Sequence, residues 1–181
     1  KFDINPGFCL FAGRFSSENH PEFFIKVAKK TPDREFVMIG YGATTENASS
    51  LLGENLPANL YILGPLSGMD LIDAFHSSSI LLYPRNVTKF GGNSLYEAMF
   101  TGSVPVGYYS DSDLIKYSVI KPEINGLLYE KNNIDDCIEK LNYAWDNKQL
   151  KNKSRLWALR NNIWAKVIKS YDSLYYNLVK S

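Results

Sequence analysis

Short runs of apolar residues recur along the chain, and glycine or proline closes each of the first four. Runs of this length are typical of strands buried on both faces of a parallel sheet. Six strands are therefore predicted, at residues 8–12, 35–39, 60–63, 80–83, 104–108 and 127–129. We expect Pro84 to end the fourth strand, and Pro105 indicates that the fifth strand is short or lies at a sheet edge.

Segments between these runs carry apolar residues at helical spacing. Pro21 suits a first helical turn, and one apolar face follows it at Phe23, Phe24, Val27 and Ala28. Thr44 or Thr45 can cap a weaker helix toward Leu52, and Ser67 with Asp70 resembles the start of another. A central helix follows residues 90–94, and a further helix is predicted from about Ile134 to Trp145.

A long last helix is predicted from about Arg155 to near the end of the chain. Its apolar residues step by three and four and form one stripe: Leu156, Leu159, Ile163, Val167, Tyr171, Leu174 and Leu178. Because strands alternate with helical segments throughout, the sequence predicts an α/β fold. The sheet is expected to be doubly wound, mostly parallel and six-stranded, with the long C-terminal helix beside it.

Composition narrows the functional classes. The formal net charge of +1 lacks the basic excess of a nucleic-acid binder, and no apolar run approaches the about 20 residues that cross a bilayer. Cys9 and Cys137 stand far apart without a metal-binding spacing, so buried free thiols are favoured over a disulfide and no metal is expected. The 181 residues are interpreted as a single domain.

The loops after the first four strands should meet at one edge of the sheet. Ligands of doubly wound folds bind there, at the carboxyl ends of the strands. These loops contain Gly13 and Arg14, residues 40–42, Gly64 and Pro65, and residues 85–94. In the last of them, Gly91 and Gly92 allow a tight turn, and Asn93 or Ser94 can cap the helix that follows. A helix start of this kind suits a phosphate or diphosphate.

In order and spacing, several segments together resemble the nucleotide-sugar-binding C-terminal domain of retaining glycosyltransferases with the GT-B fold, the glycosyl transferases group 1 family. They cover nearly the whole chain, at residues 11–14, 37–42, 62–66, 90–99, 101–106 and 125–128. The resemblance implies a Rossmann-like domain that binds a nucleotide sugar of the UDP or GDP type without a metal or other cofactor. An N-terminal acceptor domain of similar fold would then lie outside this chain, and the chain is expected to be an inactive part of a hexosyl-type glycosyltransferase without it.

The resemblance also assigns a role to Glu97. In the family this carboxylate accepts hydrogen bonds from the two ribose hydroxyls of the donor, and a carboxylate is a bidentate acceptor suited to a vicinal diol. Residues 94–97 also read as a capping box, in which Glu97 accepts from the Ser94 N–H. Both interpretations remain open from the sequence.

Other site residues follow from the same resemblance. Arg14 matches a phosphate-binding arginine, and its fixed fork fits two phosphate oxygens. The base would lie against Gly64, Pro65 and Leu66, for which an ordinary turn is the alternative. The remaining predicted ligand contacts are Gly13, Gly42, Phe90, Gly91, Gly92, Asn93 and Ser94.

Two positions depart from the family pattern. Lys89 stands where the family has the first glutamate of its signature pair, and Asn19 stands where it has a lysine that helps neutralise the diphosphate. The leaving diphosphate gains negative charge during transfer, so a lost cation has to be replaced for full rate. Lys89 or Arg85 can supply that charge, and Lys89 and Arg14 are predicted as the catalytic cations.

Three functions are compatible with these residues. The first is a glycosyltransferase donor domain that transfers a sugar to a glycan or lipid-linked acceptor. The others are a non-catalytic binding module or partner subunit, and a nucleotide-sugar epimerase of the same architecture. The first hypothesis implies a cytoplasmic location, and basic and aromatic residues in the last helix leave peripheral contact with the inner face of a membrane open. No nucleic-acid partner is expected.

Overall fold

The computed structural model describes residues 4–52, 55–87, 92–110, 115–116, 118–161, 168–169, 171–173 and 175–176. Its strands are β1 (Cys9–Ala12), β2 (Phe36–Ile39), β3 (Leu60–Gly64), β4 (Ile80–Asn86), β5 (Val104–Tyr109) and β6 (Leu127–Glu130). They form one six-stranded sheet in the order β3-β2-β1-β4-β5-β6. Each neighbouring pair is parallel, as the sequence predicts.

The described helices cover both faces of this sheet. They are α1 (Pro21–Lys30), α2 (Thr45–Leu52), α3 (Gly68–Ser77), α4 (Asn93–Thr101), α5 (Ile134–Asp146) and α6 (Lys148–Asn161). On one face, α1, α2 and α5 pack on side chains such as Phe36 and Tyr129. On the other face, α3 and α4 pack on Leu10 and Leu81. The doubly wound arrangement is therefore confirmed.

The helix starts follow the sequence in part. Pro21 occupies the first position of α1, where its missing N–H costs nothing. The Thr44 hydroxyl accepts the Asn47 N–H at 3.2 Å and so caps α2. Ser67 occupies the N-cap position of α3, but its side chain accepts no capping hydrogen bond.

Both expectations that were based on proline were wrong. β4 continues beyond Pro84 to Asn86, with a register shift against β5 between Tyr83 and Asn86. β5 lies inside the sheet between β4 and β6. Its pairing with β6 begins only at Val106, so the N–H that Pro105 lacks is not required on that side.

The last helix starts earlier than predicted and packs through a different stripe. α6 begins at Lys148, and the residues that it buries are Leu150, Ser154 and Ala158. Leu156 and Leu159 of the predicted stripe are instead exposed, at 50% and 44%. The small side chains of Ser154 and Ala158 allow α6 to pack closely on its neighbours. The buried Ser154 hydroxyl donates to the Asn125 carbonyl at 2.8 Å. Ile163, Val167, Leu174 and Leu178 lie outside the described residues.

Candidate functional site

An open crevice of about 270 Å³ lies at the carboxyl edge of the sheet. The loops after β1, β2 and β3 meet there with α3 and the first turns of α4. Its lining consists of Ala12, Gly13, Arg14, Ile39, Gly40, Tyr41, Pro65, Leu66, Leu71, Phe75, Ser94 and Glu97. The expected convergence of the strand-end loops is thus observed for β1, β2 and β3.

Gly40 allows the first two of these loops to touch. Its φ of 138° belongs to a region that other residues rarely adopt, and an added Cβ would collide with the Gly13 carbonyl. The Gly40 N–H donates to the Gly64 carbonyl at 2.8 Å, and the Gly13 N–H donates to the Ile39 carbonyl at 3.1 Å. These contacts fix the floor of the crevice at the ends of three strands.

Two charged side chains of opposite sign line the crevice. Arg14 is exposed after β1 and has no ion-pair partner among the described residues. Glu97 comes from α4, and partial burial raises the pKa of its carboxyl above the ordinary value. Within the described part of the chain, that carboxylate accepts no hydrogen bond. Both groups are therefore open to a ligand.

The start of α4 contradicts the capping interpretation of Glu97. The helix begins at Asn93, its N-cap is Gly92, and no side chain accepts a capping hydrogen bond. Ser94 is already the second helical residue, so it cannot form the predicted box with Glu97. An added Cβ at Gly92 would lie 2.9 Å from the Tyr83 hydroxyl, so the start of α4 lies close to the end of that side chain.

The structure brings together part of the predicted site. Gly13, Arg14, Pro65, Leu66, Ser94 and Glu97 line the crevice. Gly42 and Gly64 shape the adjoining turns with φ of 78° and 71°, and Gly92 and Asn93 form the start of α4, but none of these four lines the crevice. Lys89, Phe90 and Gly91 lie outside the described residues.

Sequence reasoning missed the apolar wall. Leu71 and Phe75 stand one turn apart on α3 and line the crevice beside Ile39, which ends β2. Their spacing marks one helix face, and this is the signal that the sequence offers.

A narrow gap of about 10 Å³ continues from Gly13 along the same edge of the sheet. It is lined in part by Asn19, Pro84 and Arg85. Asn19 is 7% exposed, and its amide donates to the Arg14 carbonyl at 2.5 Å and to the Ser16 hydroxyl at 3.2 Å. Asn19 therefore holds the Arg14 loop in place. The guanidinium of Arg85 lies 5.7 Å from the centre of the Tyr83 ring.

Other candidate chemistry is sparse in the described residues. Cys9 and Cys137 are buried, as predicted, and carry free thiols. Burial raises the pKa of both thiols, which keeps them protonated. The described residues contain no group of three or more His, Cys, Asp or Glu side chains that could hold a metal ion. None of the helices described here is both long and apolar enough to cross a membrane.

The order of the strands and the open crevice at their carboxyl edge place the chain in the doubly wound α/β class. Residues 1–157 match the family described as glycosyl transferases group 1. Since this match covers most of the chain, the chain belongs to that family.

Solved structures of glycosyltransferases share the fold. A glycosyltransferase from Rickettsia africae is 17% identical with a TM-score of 0.80, and the alignment covers 98% of this chain and 49% of the Rickettsia chain. HepE from Anabaena, in complex with UDP-glucose, is 14% identical with a TM-score of 0.74, and the alignment covers 94% of this chain and 49% of HepE. The pneumococcal O-GlcNAc transferase GtfA, with UDP and GlcNAc, is 15% identical with a TM-score of 0.72, covering 98% and 37%.

This chain therefore spans between about a third and a half of the length of these structures. At such low identity the likeness shows the fold alone. The comparison with curated proteins finds no match.

Proposed function

We propose that this chain forms the donor-binding domain of a retaining, hexosyl-type glycosyltransferase and binds a nucleoside diphosphate sugar in the edge crevice. The observation that carries the proposal is the meeting of Arg14, Ser94 and Glu97 with an apolar wall in one open cleft. A nucleotide presents the flat faces of an aromatic base, a diol and a diphosphate, and the cleft offers a matching group for each.

Each part of the nucleotide has its own partner in this proposal. The base packs on Leu66, Leu71 and Phe75, which belong to the segment after β3. The ribose hydroxyls donate to the Glu97 carboxylate. The diphosphate is held by the Arg14 guanidinium and by the N–H groups at the start of α4, where the helix dipole favours an anion.

UDP is the first nucleotide to test, and GDP is the alternative. HepE and GtfA were solved in complexes that contain UDP-glucose and UDP, respectively. Neither similarity decides the base in this chain. The wall formed by Leu66, Leu71 and Phe75 has no polar side chain that would select one base over another. The sequence departures at Asn19 and Lys89 concern the diphosphate and the sugar instead.

The cations of the transfer step are Arg14 with Lys89 or Arg85. Arg85 lies beside Asn19 in the gap next to the crevice, where it can replace the positive charge that a lysine at position 19 would provide. The bond between sugar and diphosphate breaks as negative charge develops on the diphosphate, and fixed cations lower the barrier to this step.

We propose a glycan or lipid-linked acceptor and a role in polysaccharide biosynthesis. The proposed location is cytoplasmic, with peripheral membrane contact left open.

Calorimetry of the intact protein with UDP, GDP and ADP tests the binding step. The proposal expects one nucleoside diphosphate to bind at micromolar to millimolar concentration and the Glu97→Gln variant to bind it more weakly. Glu139→Gln, on the exposed side of α5, is the matched control and should bind like the wild type. If none of the three nucleotides binds at millimolar concentration, the proposal fails.

Turnover separates the enzyme from a non-catalytic module. A non-catalytic binding module is favoured by Asn19, because this side chain provides no positive charge and already donates hydrogen bonds to Arg14 and Ser16. Incubation of the intact protein with UDP- and GDP-sugars should release nucleotide if transfer or hydrolysis occurs. Binding without nucleotide release would favour the module, and interconversion of sugar epimers without release would favour an epimerase.

A further inference from the structure

A second pocket, of about 200 Å³, lies on the opposite face of the sheet from the crevice. The crevice is lined from α3 and α4, whereas this pocket is lined from α1, the start of α5 and the ends of β4, β5 and β6. Its lining consists of His20, Glu22, Phe23, Lys26, Pro84, Tyr108, Tyr129, Asn132 and Ile134. Pro84 also lines the narrow gap, and Gly13 lines both the gap and the crevice. The three cavities therefore form a row along one edge.

Two residues of this pocket hold a backbone conformation that favours glycine. Among the described residues other than glycine, φ is positive at His20 (48°), Glu123 (61°) and Asn132 (62°). Two of these three line the pocket. A side chain in this region carries backbone strain that glycine would relieve. Strain of this kind is concentrated at functional sites, so the side chains of His20 and Asn132 are candidates for ligand contact.

A buried hydroxyl in the wall lacks a partner. Tyr129 is 1% exposed, and its hydroxyl forms no hydrogen bond with any described residue. Its ring stacks on Phe23 at 5.4 Å and meets the Tyr108 ring edge-on at 6.0 Å. Burial raises the pKa of the Tyr129 phenol well above its ordinary value, so the hydroxyl keeps its proton. A buried unpaired hydroxyl is costly unless a ligand or water satisfies it.

The charges of the pocket exclude a strong preference for anions. Lys26 brings one positive charge and Glu22 one negative charge, and the Glu22 carboxylate lies 3.1 Å from Nδ1 of His20. The remaining polar groups, on Tyr108, Tyr129 and Asn132, are neutral and can both donate and accept hydrogen bonds. Aromatic walls with neutral donors and acceptors match a molecule that carries many hydroxyls and no charge.

We propose that this second pocket binds a neutral sugar unit of the glycan on which the enzyme acts. The inference rests on the proposed function for the identity of that glycan, while the pocket itself is defined by its own residues. Its volume of about 200 Å³ leaves room for one pyranose ring. Because the row of cavities ends in the donor crevice, a glycan seated here lies on the same edge of the sheet as the diphosphate.

Three glycine substitutions test the proposal. His20→Gly and Asn132→Gly remove a side chain from the pocket while keeping a backbone that glycine tolerates well. Glu123→Gly also removes a side chain at a position of positive φ, but this position is exposed and lies outside the pocket, so the variant serves as the matched control. All three variants should unfold at a temperature equal to or higher than that of the wild type, because each relieves backbone strain.

Binding is measured by NMR on the intact protein with methyl glycosides of neutral hexoses and N-acetylhexosamines. We expect at least one glycoside to bind, and each pocket variant to weaken that binding by about tenfold, as for the loss of one or two hydrogen bonds. Glu123→Gly should bind like the wild type. Inorganic phosphate should not compete.

Several results would overturn the proposal: no glycoside binds, both pocket variants bind like the wild type, or phosphate displaces the sugar. UDP binding is measured in the same samples, and the two pocket variants should retain it because neither residue lines the crevice. If UDP binds but no glycoside does, only this inference fails. If none of UDP, GDP and ADP binds either, the proposed function fails with it.

Discussion

Arg14 and Glu97 reach the same crevice from different elements, one from the loop after β1 and one from α4. Removal of the guanidinium in Arg14→Gln should weaken the binding of the nucleoside diphosphate by about 10- to 100-fold, since a charge-assisted hydrogen bond is lost. Calorimetry measures the change. Arg160→Gln, at an exposed position in the last turn of α6, is the control and should leave the affinity unchanged. Equal affinities for all three proteins would remove Arg14 from the site.

The Glu97 carboxyl predicts a dependence of nucleotide affinity on pH. Only its deprotonated form accepts hydrogen bonds from both ribose hydroxyls, and burial raises its pKa. Affinity should therefore be full well above that raised pKa and fall as the pH drops through it. The ratio of wild-type to Glu97→Gln affinity isolates the effect, because titration of the nucleotide itself cancels. A ratio that does not change with pH would contradict the ribose contact.

The same raised pKa sets the sign of an effect on stability. The folded protein holds this proton more tightly than the unfolded chain does, so stability is lost as the pH rises through the folded pKa. At neutral pH, Glu97→Gln should be at least as stable to urea as the wild type. A less stable variant would mean that the carboxylate has a structural partner.

Single residues show how far the sequence could predict the site. Arg14, Pro65 and Leu66 follow strands, and Glu97 lies in the first turns of the helix after the fourth strand, so their positions could be deduced from topology. The crevice wall at Phe75 could not, because an apolar helix face gives the same pattern whether it meets the core or a cleft. Capping by Ser94 was a wrong inference for a similar reason, since one residue of uncertainty in the helix start moves Ser94 from the N-cap into the helix.

Among the elements, the turn after β2 decides the shape of the crevice. Gly40→Ala should lower the free energy of unfolding by about 2 kcal/mol or more, because strain at φ 138° is combined with a collision against the Gly13 carbonyl. Urea unfolding measures the difference. Gly68→Ala, also at positive φ but with no atom near the added Cβ, should cost only about 1–2 kcal/mol. If both variants lost the same stability, the close approach of the two loops would not matter.

The elements also show where local sequence signals fail. Apolar runs identified all six strands, because a buried parallel strand needs continuous apolar residues. Pro84 and Pro105 misled the prediction, since the cost of a missing N–H depends on whether a neighbouring strand needs it at that position. In α6, Ser154 and Ala158 form the buried face, and a search for large apolar residues overlooks a face that packs closely through small ones.

For the whole molecule, the alternation of strands and helices was sufficient to predict the doubly wound fold, and the family match agrees with it. The second pocket was beyond reach, because its lining comes from four segments between His20 and Ile134 that only the folded sheet brings together. The sequence places His20 directly before Pro21, at the predicted start of a helix. Its left-handed backbone and its place beside Tyr108 became visible only in three dimensions.

The contact between Glu97 and the ribose is the central claim, and a double-mutant cycle tests it most directly. Calorimetry of the intact protein compares UDP with 2′-deoxy-UDP, or the GDP pair if GDP is the nucleotide that binds, in the wild type and in Glu97→Gln. In the wild type, loss of the 2′-hydroxyl should weaken binding by about tenfold, and in the variant the two nucleotides should bind almost equally. The same loss of affinity in both proteins would show that Glu97 does not bind the ribose, and the account of the crevice would be wrong.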